Sequence, residues 1–214
     1  MFNRRHLSLA AGMAAAVALT SGALIASTAH ADAAAEINTP APAFTGVTST
    51  GETISLSDFE DKTVVLEWTN HDCPFVRKHY AEPPRNMQGM QEGAGDDEIV
   101  WLSVISSAPG KQGHVTPEQA NDLTTSRGAA PHAVILDESG DIGRLYGAKT
   151  TPHMYVIKTG GELAYMGAID SNPSANVDDI ATAENYVTAA LDAVAAGEPV
   201  ATPATKAYGC SVKY

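Results

Sequence analysis

Short, almost continuously apolar runs separated by helix signals decide what this chain can fold into. Thr63-Val64-Val65-Leu66-Glu67-Trp68 and Ile99-Val100-Trp101-Leu102-Ser103-Val104-Ile105 are rich in β-branched residues and barely alternate, the pattern of strands covered on both faces. Ala133–Leu136 is a third, shorter strand. After the first run, Pro74 takes the first helical position, where its missing N–H costs nothing, and Pro83-Pro84 stops the helix. A further turn or two is expected through Gln91. After the second run, Thr116-Pro117-Glu118-Gln119 combines an N-cap, a proline at N1 and a glutamine at N3, predicting a helix to about Arg127 that ends at Gly128. Met154–Ile157 and Leu163–Met166 flank Lys158-Thr159-Gly160-Gly161-Glu162 and read as a hairpin. Gly51–Phe59 reads as a short strand and a helical turn capped by Ser57. Asp178–Ala196, ended by Gly197, reads as a closing helix. The order predicts one α/β domain, a central mixed β-sheet flanked by helices.

With 214 residues, 44% hydrophobic and 18% charged, the chain is an ordinary globular sequence with one sizeable core. Collagen, coiled coil and wholesale disorder are excluded. The net charge of −12 repels phosphate backbones and anionic lipid, so nucleic acid and membrane surfaces are poor partners. Two cysteines are too few for a disulfide-dense scaffold or a four-thiolate zinc site.

Residues 1–31 read as a cleaved signal peptide. Arg4, Arg5 and His6 form a basic start, Leu7–Ala26 is apolar and uncharged, and Ala29-His30-Ala31 fits signal-peptidase cleavage. The paired arginines also resemble a twin-arginine signal. A periplasmic or secreted protein without a membrane partner after cleavage is expected, in an oxidising compartment. Residues 32–42 form an Ala/Pro-rich loose lead-in, 43–197 the domain, and 198–214 a tail carrying Cys210.

The chemistry centres on Trp68-Thr69-Asn70-His71-Asp72-Cys73-Pro74-Phe75-Val76-Arg77. A cysteine between a buried strand and a helix faces free backbone N–H groups and the positive end of the helix dipole, which favour the thiolate. Arg77, four residues on, adds positive charge on the same face, whereas Asp72 opposes a second anion. A small buried hydrophobe, or half of a structural disulfide, is the competing reading of Cys73. Thr151-Pro152, entering a strand, is a step that often marks a tight turn and sometimes a cis bond. Glu67 reads equally as a proton acceptor for Cys73 or as a solvated strand-end carboxylate.

These segments resemble thioredoxin-fold redoxins, in particular the peroxiredoxin-like alkyl hydroperoxide reductase and thiol-specific antioxidant branch. Trp68-Thr69-Asn70-His71-Asp72-Cys73-Pro74-Phe75-Val76 is similar to the family's active-site loop, Thr-Cys-Asn-His-Cys-Pro-Tyr-Val. Tyr146–Pro152 matches its cis-proline region, and the hairpin ending Gly167-Ala168-Ile169-Asp170 matches too. The likeness runs in order from about Ala41 to Ala196.

The resemblance implies a thioredoxin-like fold and a thiol oxidoreductase acting on a peroxide or a disulfide, with a thiol reductant and no organic cofactor. Cys73 is then the nucleophile and Cys210, on a mobile tail, the resolving thiol. Asn70, His71, Pro74, Arg77, Thr151 and Pro152 would form the thiolate and substrate environment. The sequence departs from the pattern at two places. Asn70 replaces the first cysteine of a Cys-x-x-Cys pair, and Leu66 and Asn70 stand where a peroxiredoxin has Pro and Thr. Two other readings stand beside this one. Cys73, His71 and His153 could hold copper in a binding or chaperone module on the same fold. Alternatively, a Cys73–Cys210 bridge could be a structural staple in a non-catalytic redoxin, constraining the unfolded chain by about 5 kcal/mol.

Overall fold

The apolar runs become the middle of a five-stranded sheet. The computed structural model describes residues 34–95 and 98–214, so the predicted signal segment and its cleavage point lie outside the described residues. β1 (Thr45–Val47) and β2 (Thr53–Ser55) make a small antiparallel hairpin. β3 (Thr63–Trp68) leads through Cys73 into α1 (Pro74–His79), followed by α2 (Asn86–Ala94), β4 (Ile99–Ile105) and α3 (Pro117–Ser126). Then come β5 (Ala133–Leu136), α4 (Asp141–Tyr146), β6 (Thr150–Thr151), β7 (His153–Ile157) and β8 (Leu163–Gly167). α5 (Tyr186–Ala195) and β9 (Cys210–Ser211) complete the order.

The main sheet runs β5-β4-β3-β7-β8, with β3, β4 and β5 parallel and β7 and β8 antiparallel. This is the mixed α/β arrangement expected. Because side chains alternate along a strand, β3 feeds two cores. Val64, Leu66 and Trp68 face Ile142, Tyr146 and Tyr155, under α4. Val65 faces Cys73, Val76, Met87, Met154 and Val187, under α1, α2 and α5. Within the first core, Trp68 Nε1 donates to Ser106 Oγ at 2.9 Å, and Ser106 donates to Asp137 at 2.6 Å. Asp137 in turn accepts from the N–H groups of Ile142 and Gly143, satisfying free donors at the start of α4.

Several boundaries differ from the sequence reading. The closing helix begins at Tyr186 rather than at 178, because the Asn185 side chain accepts from Val187 N and Thr188 N and caps it there. Residues 177–181 form a separate 3-10 turn capped by Asn176. The turn at Leu56–Phe59 is capped by Ser55, not Ser57, since Asp58 reaches back to accept from Ser55 N at 2.7 Å. α2 extends past Gln91 to Ala94.

Both sheet edges are covered. The lead-in is not loose: Asn38 N bonds Leu163 O, Leu163 N bonds Thr39 O, and Ala41 N bonds Gly161 O, all between 2.8 and 2.9 Å. Farther along β8, Met166 N bonds Pro203 O and Thr205 N bonds Met166 O. At the opposite edge, Ser49 N bonds Val134 O at 2.8 Å, and Thr48 bridges Ile135.

Candidate active site

Cys73 sits where β3 hands over to the α1 helix, as the helix N-cap with an extended backbone (φ −75°, ψ 121°). Its carbonyl accepts from Val76 N and Arg77 N, and its own N–H donates to Asn70 O. Across from it, the Thr151–Pro152 peptide is cis, and the Cys73 thiol donates to Thr151 O at 3.1 Å. β9 then pairs antiparallel with β6, so Cys210 lies opposite Thr151. The Thr151 hydroxyl donates to Cys210 O at 3.4 Å. Both cysteines are free thiols, and each acts on the other's acidity.

Their acidities are pushed apart. Burial works against a Cys73 thiolate, but hydrogen bonds from the Cys210 thiol, from the N–H groups of Val76 and Cys210, and from the Thr151 hydroxyl outweigh it. The Cys73 pKa therefore lies below the ordinary thiol range. Cys210 is pushed up to about 11, first by burial and then by its neighbour Cys73. Of the two thiols, Cys73 is the more acidic.

The structure corrects several expected roles. In this structure the tail is tied down on both sides of its cysteine. Tyr165 and Ala168 hold Thr205, Asp170 holds Tyr208, and Lys149 O accepts from Val212 N. In consequence Cys73 is 0% exposed, closed over by the tail as well as by the core. Asn70 is committed to the loop: its Oδ1 accepts from Asp72 N at 2.9 Å and its Nδ2 donates to Gln112 O at 3.4 Å. Arg77 is exposed, and its charge favours the Cys210 thiolate. Pro74 does occupy the first helical position. His71 is half-buried, with Nε2 3.4 Å from Asp72, in an open hollow beside His114.

Glu67 is neither solvated nor a partner of Cys73. It is buried, accepts from Tyr80, Gln91, Trp101 and Ser103, and has its pKa raised by that burial. The copper set does not assemble. His153 stacks on Tyr155 in the Trp68 core, on the opposite sheet face from Cys73, and burial lowers its pKa to about 4. Among the described residues, no three His, Cys, Asp or Glu side chains converge as a metal-holding group.

The AhpC/TSA family pattern matches residues 37–166. The chain belongs to that family. No curated protein matches this AhpC/TSA-family chain in sequence. Among solved structures, an uncharacterized conserved protein from Geobacillus kaustophilus is 22% identical, with a TM-score of 0.69 over 84% of this chain and 92% of its own. A hypothetical protein from Sinorhizobium meliloti 1021 is 21% identical, with a TM-score of 0.67 over 85% and 96%. A third, from Bacteroides thetaiotaomicron and described as a candidate protein disulfide isomerase, is 18% identical, with a TM-score of 0.50 over 69% and 85%. These likenesses establish a thioredoxin-like fold for the AhpC/TSA-family chain.

Sequence reasoning missed Lys78, Asp170, Tyr208 and Gly209, which lock the tail onto the site. Gly209 carried a usable signal. A glycine beside a cysteine marks a close backbone approach, and here a Cβ would collide with Thr151 O at a φ of +127°.

Proposed function

We propose that this protein is an exported dithiol–disulfide oxidoreductase in which Cys73 is the nucleophile and Cys210 the resolving thiol. What carries the reading is one observation: two free thiols brought to the same Thr151–Pro152 turn, Cys73 donating to Thr151 O and Cys210 paired opposite Thr151, with their acidities driven in opposite directions. The Cys73 thiolate attacks one sulfur of a substrate disulfide, forming a mixed disulfide and releasing one substrate thiolate. Cys210, losing its proton, attacks the Cys73 sulfur and expels the second. Substrate is reduced by two electrons and the Cys73–Cys210 pair is oxidised by two; an external thiol restores it.

Family membership favours a second use of the same pair, reduction of a hydroperoxide. Cys73 would take one peroxide oxygen to become a sulfenic acid, releasing an alcohol or water. Cys210 would then condense with it, releasing water. Asn70, which stands where a peroxiredoxin threonine would meet peroxide, has its amide engaged elsewhere. That weighs toward disulfide exchange.

Stopped-flow measurements on reduced protein with oxidised glutathione and, separately, hydrogen peroxide test both. The expected result is turnover abolished in Cys73→Ser, and a single unresolved adduct on Cys73 in Cys210→Ser. Wild type and Cys73→Ser behaving alike with both oxidants would end the proposal. A Cys73–Cys210 reduction potential far below the glutathione range would instead mark a structural staple. Export is checked by the amino-terminus of the mature protein, expected just after Ala31.

A further inference from the structure

What holds Cys210 down on Cys73 lies just upstream, at Tyr208. The Tyr208 hydroxyl donates to Asp170 Oδ1, and its ring meets Phe75 edge-on with centroids 5.9 Å apart. Lys78 Nζ stands 5.7 Å from the centre of the same ring. Asp170 is itself fixed by Lys78 at 3.0 Å and by Asn172 N at 3.0 Å. Phe75 and Lys78 belong to α1, so the helix that presents Cys73 also grips the strand that presents Cys210. Past the cysteine the chain is held again, by Ala108 N to Lys213 O and Tyr214 OH to Ala148 O.

We infer that Tyr208, docked on Asp170, is a positioning residue that latches residues 203–214 as a strap over Cys73, so that the closed strap forms the disulfide and the lifted strap admits an outside reactant. The closed site leaves Cys73 with no exposed surface, so anything larger than a proton must wait for the strap to rise. The same closure gives Cys210 its high local concentration beside Cys73. The latch therefore acts in opposite directions on two steps, slowing capture and speeding resolution. The resolution half rests on the function proposed above; the access half does not.

Tyr208→Phe removes one hydroxyl and leaves the Lys78–Asp170 pair intact. In the fully reduced full-length chain, iodoacetamide alkylation of Cys73, followed by peptide mass spectrometry, should quicken by about tenfold or more, the scale of a hydrogen bond to a charged group. In chain preloaded with glutathione on Cys73, Cys210 attacks the Cys73 sulfur, forms the internal disulfide and expels glutathione as its thiolate. That first-order release should slow. General loosening would quicken alkylation without slowing release, so the opposed movement is the signature. Gly209→Ala, which forces a Cβ against Thr151 O, should give the same pair of changes from the other side of the strand. Unchanged alkylation in both variants, or quicker alkylation with release unchanged or faster, overturns the latch. Quicker alkylation in a protein whose wild type never releases glutathione keeps the strap as a barrier to access, overturns Tyr208 as the positioner of Cys210, and removes the redox function with it.

Discussion

Lys78→Met tests the buried pair beneath the strap. Neither Lys78 nor Asp170 has appreciable solvent contact, and Nζ lies 3.0 Å from Oδ2. Methionine keeps an unbranched apolar stem but no ammonium. Asp170 would retain the Tyr208 hydroxyl and Asn172 N, while Asn172 O would lose its donor. Removing one member of a buried pair costs about 3–5 kcal/mol, because the other charge stays buried without compensation. At about 2–4 °C per kcal/mol for a domain of this size, the thermal midpoint should fall by roughly 6–20 °C. His79 adds a second signature. Its Nε2 is 3.8 Å from Asp170, and its pKa is lowered to about 4, by burial first, with Asp170 pulling upward and Lys78 pushing down. Without Lys78 only burial opposes the pull from Asp170, so folded His79 binds a proton at higher pH and partly replaces the lost cation. The deficit should then shrink as pH falls toward about 5. Urea denaturation of wild type and variant near pH 8 and pH 5 measures both effects. A deficit below about 1 kcal/mol near pH 8, or one that grows toward acid, would refute the reasoning.

Three further outcomes are expected. His153 has its pKa lowered to about 4, by burial and then by Lys149, against 6.5 unfolded. Its contribution is full above about pH 6.5 and drains by about 3 kcal/mol as pH falls toward 4; His153→Gln should flatten that part of the curve of urea midpoint against pH, and an unchanged slope counts against it. Glu67 is raised above 4.5 chiefly by burial, so its contribution is present below that pH and is lost as pH rises through the folded value. Glu67→Gln should therefore gain on wild type from pH 4.5 upward, and a constant difference across pH would contradict this. Asn185→Ala removes the cap of α5 and should cost about 1 kcal/mol by chemical denaturation, with no change in Cys73 alkylation.

The parts of the fold legible in the sequence were those specified locally. Continuous apolar strands, Pro74 at the first helical position and the Thr116–Gln119 box each name their own element, and together they place Cys73 at the strand–helix junction. What escaped was specified from a distance. β9 is only Cys210–Ser211, too short for periodicity, and its hydrogen bonds exist only because β6 offers an edge beside Pro152. The tail's share in burying Cys73 follows from that same pairing, so nothing around residue 73 could announce it. Lys78 reads from the sequence only as positive charge near Cys73, because its partners Asp170 and Tyr208 arrive from far along the chain. The placement of Cys73 was thus readable, and its covering was not.

The lead-in and the tail share a task unrelated to catalysis. Between them, residues 38–41 and 203–205 occupy the outer backbone groups of β8, and both stretches carry a proline, Pro40 and Pro203, that has no N–H to offer a further strand. Proteolytic trimming of either stretch would uncover an unpaired strand margin able to recruit a second molecule. Self-association of clipped protein, rather than unfolding, is the hazard this architecture holds off.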